Sequence, residues 1–166
     1  MSESIFFLVR MITWRLLRSK QRRQSYSSFM LWITGMLNSM PKVNDDIYVN
    51  IDALGAVLSS HLDQPRAYIG CMKSGEVFSQ PSHKWYEPDW WKFGDGKSYF
   101  RHASGEIFAI SQALAQFISI NRLFLHMYSH DDVSAGSWFI GLDVKHVDEG
   151  KFCCSSWSSG AVCAAA

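Results

Sequence analysis

Two short acidic runs carry the side chains best suited to chemistry in this sequence. Asn44, Asp45 and Asp46 follow one another at the edge of a β-rich run, and Asp131 and Asp132 stand side by side much later in the chain. Carboxylate and amide oxygens are hard donors. The first run therefore suits Mg²⁺ or Mn²⁺, which bind through one or two carboxylates plus substrate phosphates. Together the runs can divide labour: one holds a cation against a diphosphate leaving group, and a carboxylate of the other takes a proton from an attacking hydroxyl. Each run also has a plainer use. Acidic pairs are abundant in turns, and Asp131 or Asp132 capping a helix contributes about 1 kcal/mol with no chemistry involved. His83, His102, His126, His130 and His146 lack the spacing of zinc ligands and singly read as surface or hydrogen-bonded histidines.

The elements that must position these residues follow from periodicity and breakers. Residues 43–51 (VNDDIYVNI) form a β-type run with an acidic interruption, and Asp52 can cap a helix over 53–62 before the break at Pro65. Residues 67–72 predict a second strand. Residues 73–105 form a long stretch rich in loop residues, with Pro81, Pro88, Gly94, Gly96 and Gly105, and a connection of that length inside a compact domain is usually functional. Residues 105–111 predict a strand and 112–127 a helix, with Leu114, Phe117, Ile118, Asn121 and Leu125 on one stripe. A helix starting at Val133, a strand over 143–147 and a tail rich in Cys, Ser, Gly and Ala complete the chain. Strands alternating with helices argue for an α/β fold with no internal repeat.

The chain's 166 residues are 48% hydrophobic with a formal net charge of +1, enough for one domain with a real core. The near-zero total hides an asymmetry. Residues 1–23 hold Arg10, Arg15, Arg18, Lys20, Arg22 and Arg23 against Glu3, a charge of +5, so the remaining ten basic and fourteen acidic residues leave −4. A mildly acidic body has no broad footprint for phosphates, which argues against a nucleic-acid partner. Residues 5–17 are too short, and too broken by Arg10 and Arg15, to span a membrane. They read as an amphipathic basic surface helix or a transit-like segment, and residues 29–37 as a buried strand or helix. Adjacent Cys153 and Cys154 do not bridge each other comfortably, so in an oxidising lumen they pair with Cys71 and Cys163; reduced, buried thiols are the other reading. Of seven tryptophans, Trp85, Trp90, Trp91, Trp138 and Trp157 lie in the second half, where they serve either as core or as flat faces for a sugar.

Residues 42–54 (KVNDDIYVNIDAL), 68–72 (YIGCM), 84–86 (KWY), 99–111 (YFRHASGEIFAIS) and 131–136 (DDVSAG) occur in an order that resembles glycosyltransferase family 31. The strings GCMKSGEVFS, KWYEPDWWKFGDGKSYFRHASGEIFAIS and KFCCSSWSSGAVCAA are similar to its plant β-1,3-galactosyltransferase branch, so the resemblance covers residues 41–166. It implies a metal-dependent, inverting Golgi enzyme of GT-A fold, moving galactose from UDP-galactose to a hydroxyl of a glycan or glycoprotein. The family's Asp-x-Asp element, which holds Mn²⁺ and the nucleotide diphosphate, falls on Asn44, Asp45 and Asp46, with an amide at its first position and Asp46 as principal ligand. Its Glu-Asp-Val-x-x-Gly element falls on Asp131, Asp132, Val133 and Gly136, making Asp132 the candidate base and Asp131 its acidic neighbour. On the acceptor side lie Lys84, Trp85, Trp90 and Trp91, with Ser104 and Gly105 matching a Ser-Gly-Gly segment whose last glycine is replaced by Glu106.

The resemblance also implies a signal anchor and nucleotide-binding strands ahead of the acidic motif, and neither is readable in residues 1–40. The expected architecture is thus a partial GT-A-like mixed sheet flanked by helices and lacking its N-terminal strands, with residues 1–40 an atypical basic and apolar segment. The alternative function is a sugar- or partner-binding remnant without transfer. A third reading is an unstable chain, since a parallel sheet short of its first strands exposes an apolar edge.

Overall fold

A computed structural model describes residues 9–11, 28–33, 39–61, 63–95, 97–154 and 159–165. Alternation of apolar side chains sets the centre of the molecule. In β6 (His102–Ser111), Ile107 and Ala109 point to one face and Phe108 and Ile110 to the other, and all four are buried. In β5 (Ala67–Lys73), Ile69 and Tyr68 divide in the same way. Both faces of these strands are therefore covered. On one face lie Leu54, Val57 and Leu58 of α1 (Ile51–Ser59), together with Phe152 and Val162 of the C-terminal tail. Leu114 of α2 (Gln112–Asn121) and Ala135 and Phe139 at α3 (Asp131–Trp138) cover the other. Full burial of a leucine such as Leu54 contributes about 1.5–3 kcal/mol.

The six-stranded sheet has the order β1 (Val9–Met11), β2 (Ser28–Ile33), β3 (Ser39–Asn44), β6, β5 and β7 (Lys145–Asp148). Only β5 and β7 run parallel; every other neighbouring pair is antiparallel. The sheet is mixed, as expected, but not the parallel sheet of the instability reading. Antiparallel ladders cover β3 on both sides, by β2 and β6. A separate ribbon pairs β4 (Ile47–Val49) with β8 (Cys163–Ala165). Two disulfides, Cys71–Cys153 and Cys154–Cys163, resolve the cysteine pairing and tie the tail to β5 and to itself.

Several local expectations are corrected. Asn50, not Asp52, caps α1: its side chain accepts from the Ala53 N–H at 3.1 Å, and Asp52 lies in the first turn. Helix α3 begins at Asp131 with His130 at the cap position, so Asp131 and Asp132 are first-turn residues rather than caps. Helix α2 stops at Asn121, whose side chain donates to the Phe117 carbonyl, and Leu123 and Phe124 beyond it are exposed. Residues 9–11 form a strand instead of part of a surface helix; the rest of 5–17, like residues 34–37 and Trp157, lies outside the described residues. Among those residues no helix is long and apolar enough to cross a membrane.

Candidate active site

The site begins with an irregularity in the sheet. Between the pairs Gly70↔Phe108 and Met72↔Ala103, β5 advances by one intervening residue, whereas β6 has four, residues 104–107. On its other side, β6 pairs with β3 only as far as Val43↔Ile107. Ser104, Gly105 and Glu106 therefore bulge out of both ladders, which is how a sheet frees backbone groups to meet something else. The Ser104 hydroxyl donates to the Glu106 carboxylate, bracing the bulge.

What the bulge meets is Lys42. This lysine is only 4% exposed, and its ammonium donates to Asn44 Oδ1 at 2.6 Å and to the Gly105 carbonyl at 2.6 Å, while Asp131 Oδ2 lies 2.8 Å away. A buried ammonium is costly unless all its N–H groups find acceptors, and these three oxygens match its three protons. Strand periodicity explains the first contact, since Lys42 and Asn44 are two residues apart on one face of β3. One nitrogen thus joins the amide of the first acidic run, the bulged strand and the first turn of α3. Asp45 and Asp46 form the exposed turn that follows Asn44 directly.

Asp132 lies behind this junction and is almost buried. Its Oδ1 accepts from the Val133 N–H at 2.9 Å, and its Oδ2 faces Lys73 Nζ at 3.4 Å and His102 Nε2 at 3.7 Å. Gly105 packs closely here: an added Cβ would lie 3.3 Å from Asp132 Oδ2 and press on that carboxylate. His102 is 3% exposed; its Nδ1–H donates to the Phe100 carbonyl at 2.8 Å, which in the neutral ring leaves Nε2 as the lone-pair nitrogen toward Asp132. Burial holds its pKa below the ordinary 6.5, against the opposing pull of the Phe100 carbonyl and Asp132.

The aromatic residues divide. Trp85, 38% exposed, reaches the acid pair through His130, the residue that precedes Asp131: His130 Nε2 lies 3.2 Å from the Trp85 carbonyl, and the two rings are 5.6 Å apart. Lys84 places its ammonium 4.6 Å from the Trp85 ring centre. Trp90 packs at the edge of a cluster formed by Val77, Tyr99 and Val133, directly under the first turn of α3. Trp91 is 62% exposed on the surface, with Lys92 over its ring at 5.3 Å, and no described contact brings it to the acid pair. Glu87 holds this loop in place. Fully buried, it accepts from the Asp89 N–H at 3.0 Å and from the Ser129 N–H at 3.1 Å, and so fastens the tryptophan loop to the segment leading into α3.

Of the residues singled out from sequence, Asn44, Gly105 and Asp131 meet at Lys42, Asp132 adjoins Gly105, and Trp85 adjoins the acid pair's N-terminal neighbour. Lys42, Lys73 and Glu87 were not among them, and His102 was read only as a surface or hydrogen-bonded histidine, of which it is the second. Lys42 stood only as the residue before a β-type run, and His102 as a histidine within the loop-rich stretch.

The fit to a divalent cation is uneven. Among the described residues no group of three His, Cys, Asp or Glu side chains is arranged to hold a metal, and the Asn44 oxygen is engaged by an ammonium. Asp45 and Asp46 remain as a two-carboxylate set, which suits an ion that draws its other ligands from a diphosphate and water.

The chain is similar to several plant galactosyltransferases. The hydroxyproline O-galactosyltransferase HPGT1 of Arabidopsis thaliana is 75% identical over 123 residues, 74% of this chain and 36% of the relative. The probable beta-1,3-galactosyltransferase 1 of the same plant is 55% identical over 116 residues, 69% of this chain and 30% of its own length. Hydroxyproline O-galactosyltransferase HPGT3 is 50% identical over 125 residues, 75% of this chain and 36% of the relative. The chain spans about a third of the length of these relatives. The sequence model of the galactosyltransferase family matches residues 25–150, and the chain belongs to that family.

Proposed function

We propose that the chain carries the acid-pair side of a galactosyl-transfer site, moving galactose from UDP-galactose to the hydroxyl of hydroxyproline in a protein acceptor, with inversion. The acceptor oxygen attacks the anomeric carbon, the bond from that carbon to the diphosphate oxygen breaks, and the electron pair leaves with uridine diphosphate. The acceptor's hydroxyl proton passes to Asp132. Asp45 and Asp46 would hold Mn²⁺, which when bound offsets the negative charge gathering on the departing diphosphate. The residues the family likeness places on the acceptor side (Lys84, Trp85, Trp90, Trp91, Ser104, Gly105 and Glu106) are read here as the acceptor's surroundings. Two disulfides suit an oxidising lumen such as the Golgi.

The observation that carries the reading is the Lys42 ammonium, which bonds Asn44 of the first acidic run and pairs with Asp131 of the second. Had the runs lain apart, no shared chemistry would follow. The hydroxyproline acceptor is taken from the substrate named for the 75% identical relative. The test is transfer of labelled galactose from UDP-galactose with Mn²⁺, comparing a hydroxyproline peptide, its proline counterpart and a galactose-ended oligosaccharide. Transfer to the first alone is expected, lost in Asp46→Ala and Asp132→Asn. Equal transfer by either variant refutes its assignment, and preference for the oligosaccharide refutes the acceptor. Exposed Trp85 and Trp91 favour one other reading, a glycan-binding remnant, which predicts glycan binding without metal-dependent uridine diphosphate binding.

A further inference from the structure

Lys42 has an environment that the proposed chemistry leaves unused. It is buried, all three of its N–H groups face oxygens, and those oxygens come from three separate elements: the end of β3, the β6 bulge and the first turn of α3. A surface ion pair would leave such a lysine free to move. This one is fixed by three contacts, of which two are to the neutral oxygens of Asn44 and Gly105, and the third is to a carboxylate.

The choice of asparagine at position 44 has a consequence here. An ammonium 2.6 Å from Oδ1 takes one of that oxygen's two lone-pair positions, and a divalent cation on the other would stand close to the ammonium and be repelled by it. The ammonium thus stands on the Asn44 side, and the exposed carboxylates that follow are where an inorganic cation meets less repulsion.

Resting on the proposed galactosyl transfer, we propose that Lys42 is a positioning residue: it withdraws Asn44 from metal binding, leaves Asp45 and Asp46 as the protein's ligands, and fixes the metal-binding turn against the acid pair. Three outcomes follow on the full chain, with Mn²⁺ uptake read from the electron paramagnetic resonance of free Mn²⁺ at saturating uridine diphosphate. Asn44→Asp pairs its new carboxylate with Lys42, so Mn²⁺ affinity rises by less than tenfold; a rise of tenfold or more shows position 44 to be a ligand and overturns the assignment. Lys42→Met removes a like charge and the tether together. It binds Mn²⁺ at least as tightly as wild type while kcat falls tenfold or more; weaker Mn²⁺ binding with an unchanged melt, or a smaller fall in kcat, overturns the assignment. Should Lys42→Met fail to fold, Asn44→Asp decides alone. A wild-type chain that takes up no Mn²⁺ under these conditions removes the galactosyl-transfer reading and this assignment together, whereas a failure confined to the variants removes only the role of Lys42.

Discussion

Two glycines in helices make opposite predictions for the same substitution. Gly136 lies inside α3, where alanine is preferred by about 1 kcal/mol on propensity alone. A Cβ there would stand 2.5 Å from His102 Cβ and 3.3 Å from His102 Cα, against an ordinary carbon separation of about 3.5–4 Å. Neither atom is the end of a flexible side chain, so α3 must lift off β6. Overpacking of this kind costs about 1–3 kcal/mol, and a clash against strand backbone belongs at the upper end. After the propensity gain, Gly136→Ala is expected to lose about 2 kcal/mol. Gly55, inside α1, has nothing within 4 Å of its built Cβ, and Gly55→Ala is expected to gain about 0.5–1 kcal/mol. At about 2–4 °C per kcal/mol for a domain of this size, Gly136→Ala is expected to melt about 4–8 °C below wild type and Gly55→Ala about 1–4 °C above it in a circular-dichroism melt. A Gly136→Ala chain melting at or above wild type would refute the packing argument.

Other outcomes follow from the same geometry. The pKa of His102 is depressed by burial, so as pH falls through its unfolded value near 6.5 the unfolded chain gains a proton that the folded chain resists, and stability drops toward the lower folded pKa. Melts at pH 7.5 and 5.5 should show that loss, and His102→Gln should flatten it; an unchanged pH slope in the variant counts against the buried neutral ring. The Cys71–Cys153 bridge spans 82 residues and the Cys154–Cys163 bridge 9, so alanine pairs are expected to cost about 4–5 and about 2–3 kcal/mol in denaturant unfolding. The reverse order would mean that closed-loop entropy does not govern them. Trp85→Ala should raise the acceptor KM at least about fivefold with the donor KM unchanged, since its link to the acid pair runs through His130. A change in donor KM alone would place Trp85 elsewhere in the site.

Much of the fold was legible from spacing. Strands β5 and β6 alternate so regularly that both core faces can be read from residues 67–72 and 105–111, and the stripe through Leu114 orients α2. Boundaries were less so, for physical reasons. Asn50 and Asp52 are equally good caps by type, and Ile51 continues the alternation of 43–51, which hides where the strand ends. Residues 122–127 keep an apolar composition, yet Leu123, Phe124 and Met127 are exposed and the helix ends at Asn121 despite it. The acidic runs were visible as oxygens in local sequence, yet what joins them was not. Lys42 meets Gly105 across 63 positions, through a bulge that no local pattern announces. Glu87 likewise reads as an ordinary loop acid until its backbone partners at Asp89 and Ser129 are seen.

The two adjacent acids of α3 are differentiated by their counter-ions. Crowding two carboxylates at one helix end is repulsive, and the N-terminal position, where the helix dipole is positive, offsets part of that cost. Each acid then has its own lysine. Asp131 faces Lys42, whose side chain is 5% exposed and whose nitrogen is fixed by two further acceptors. Asp132 faces Lys73, whose side chain is 48% exposed and whose nitrogen stands farther off at 3.4 Å. The first pairing is locked by its surroundings; in the second only the lysine is open to solvent, while the nearly buried Asp132 carboxylate relies on it. An acid that must take a proton during a reaction loses its charge, and its counter-ion has to tolerate that loss. Lys73 can turn to water, whereas Lys42 would be left buried with two neutral oxygens. Removing the Asp131 charge would therefore strand a buried ammonium, whereas removing the Asp132 charge would not, so the two neighbouring carboxylates are not interchangeable.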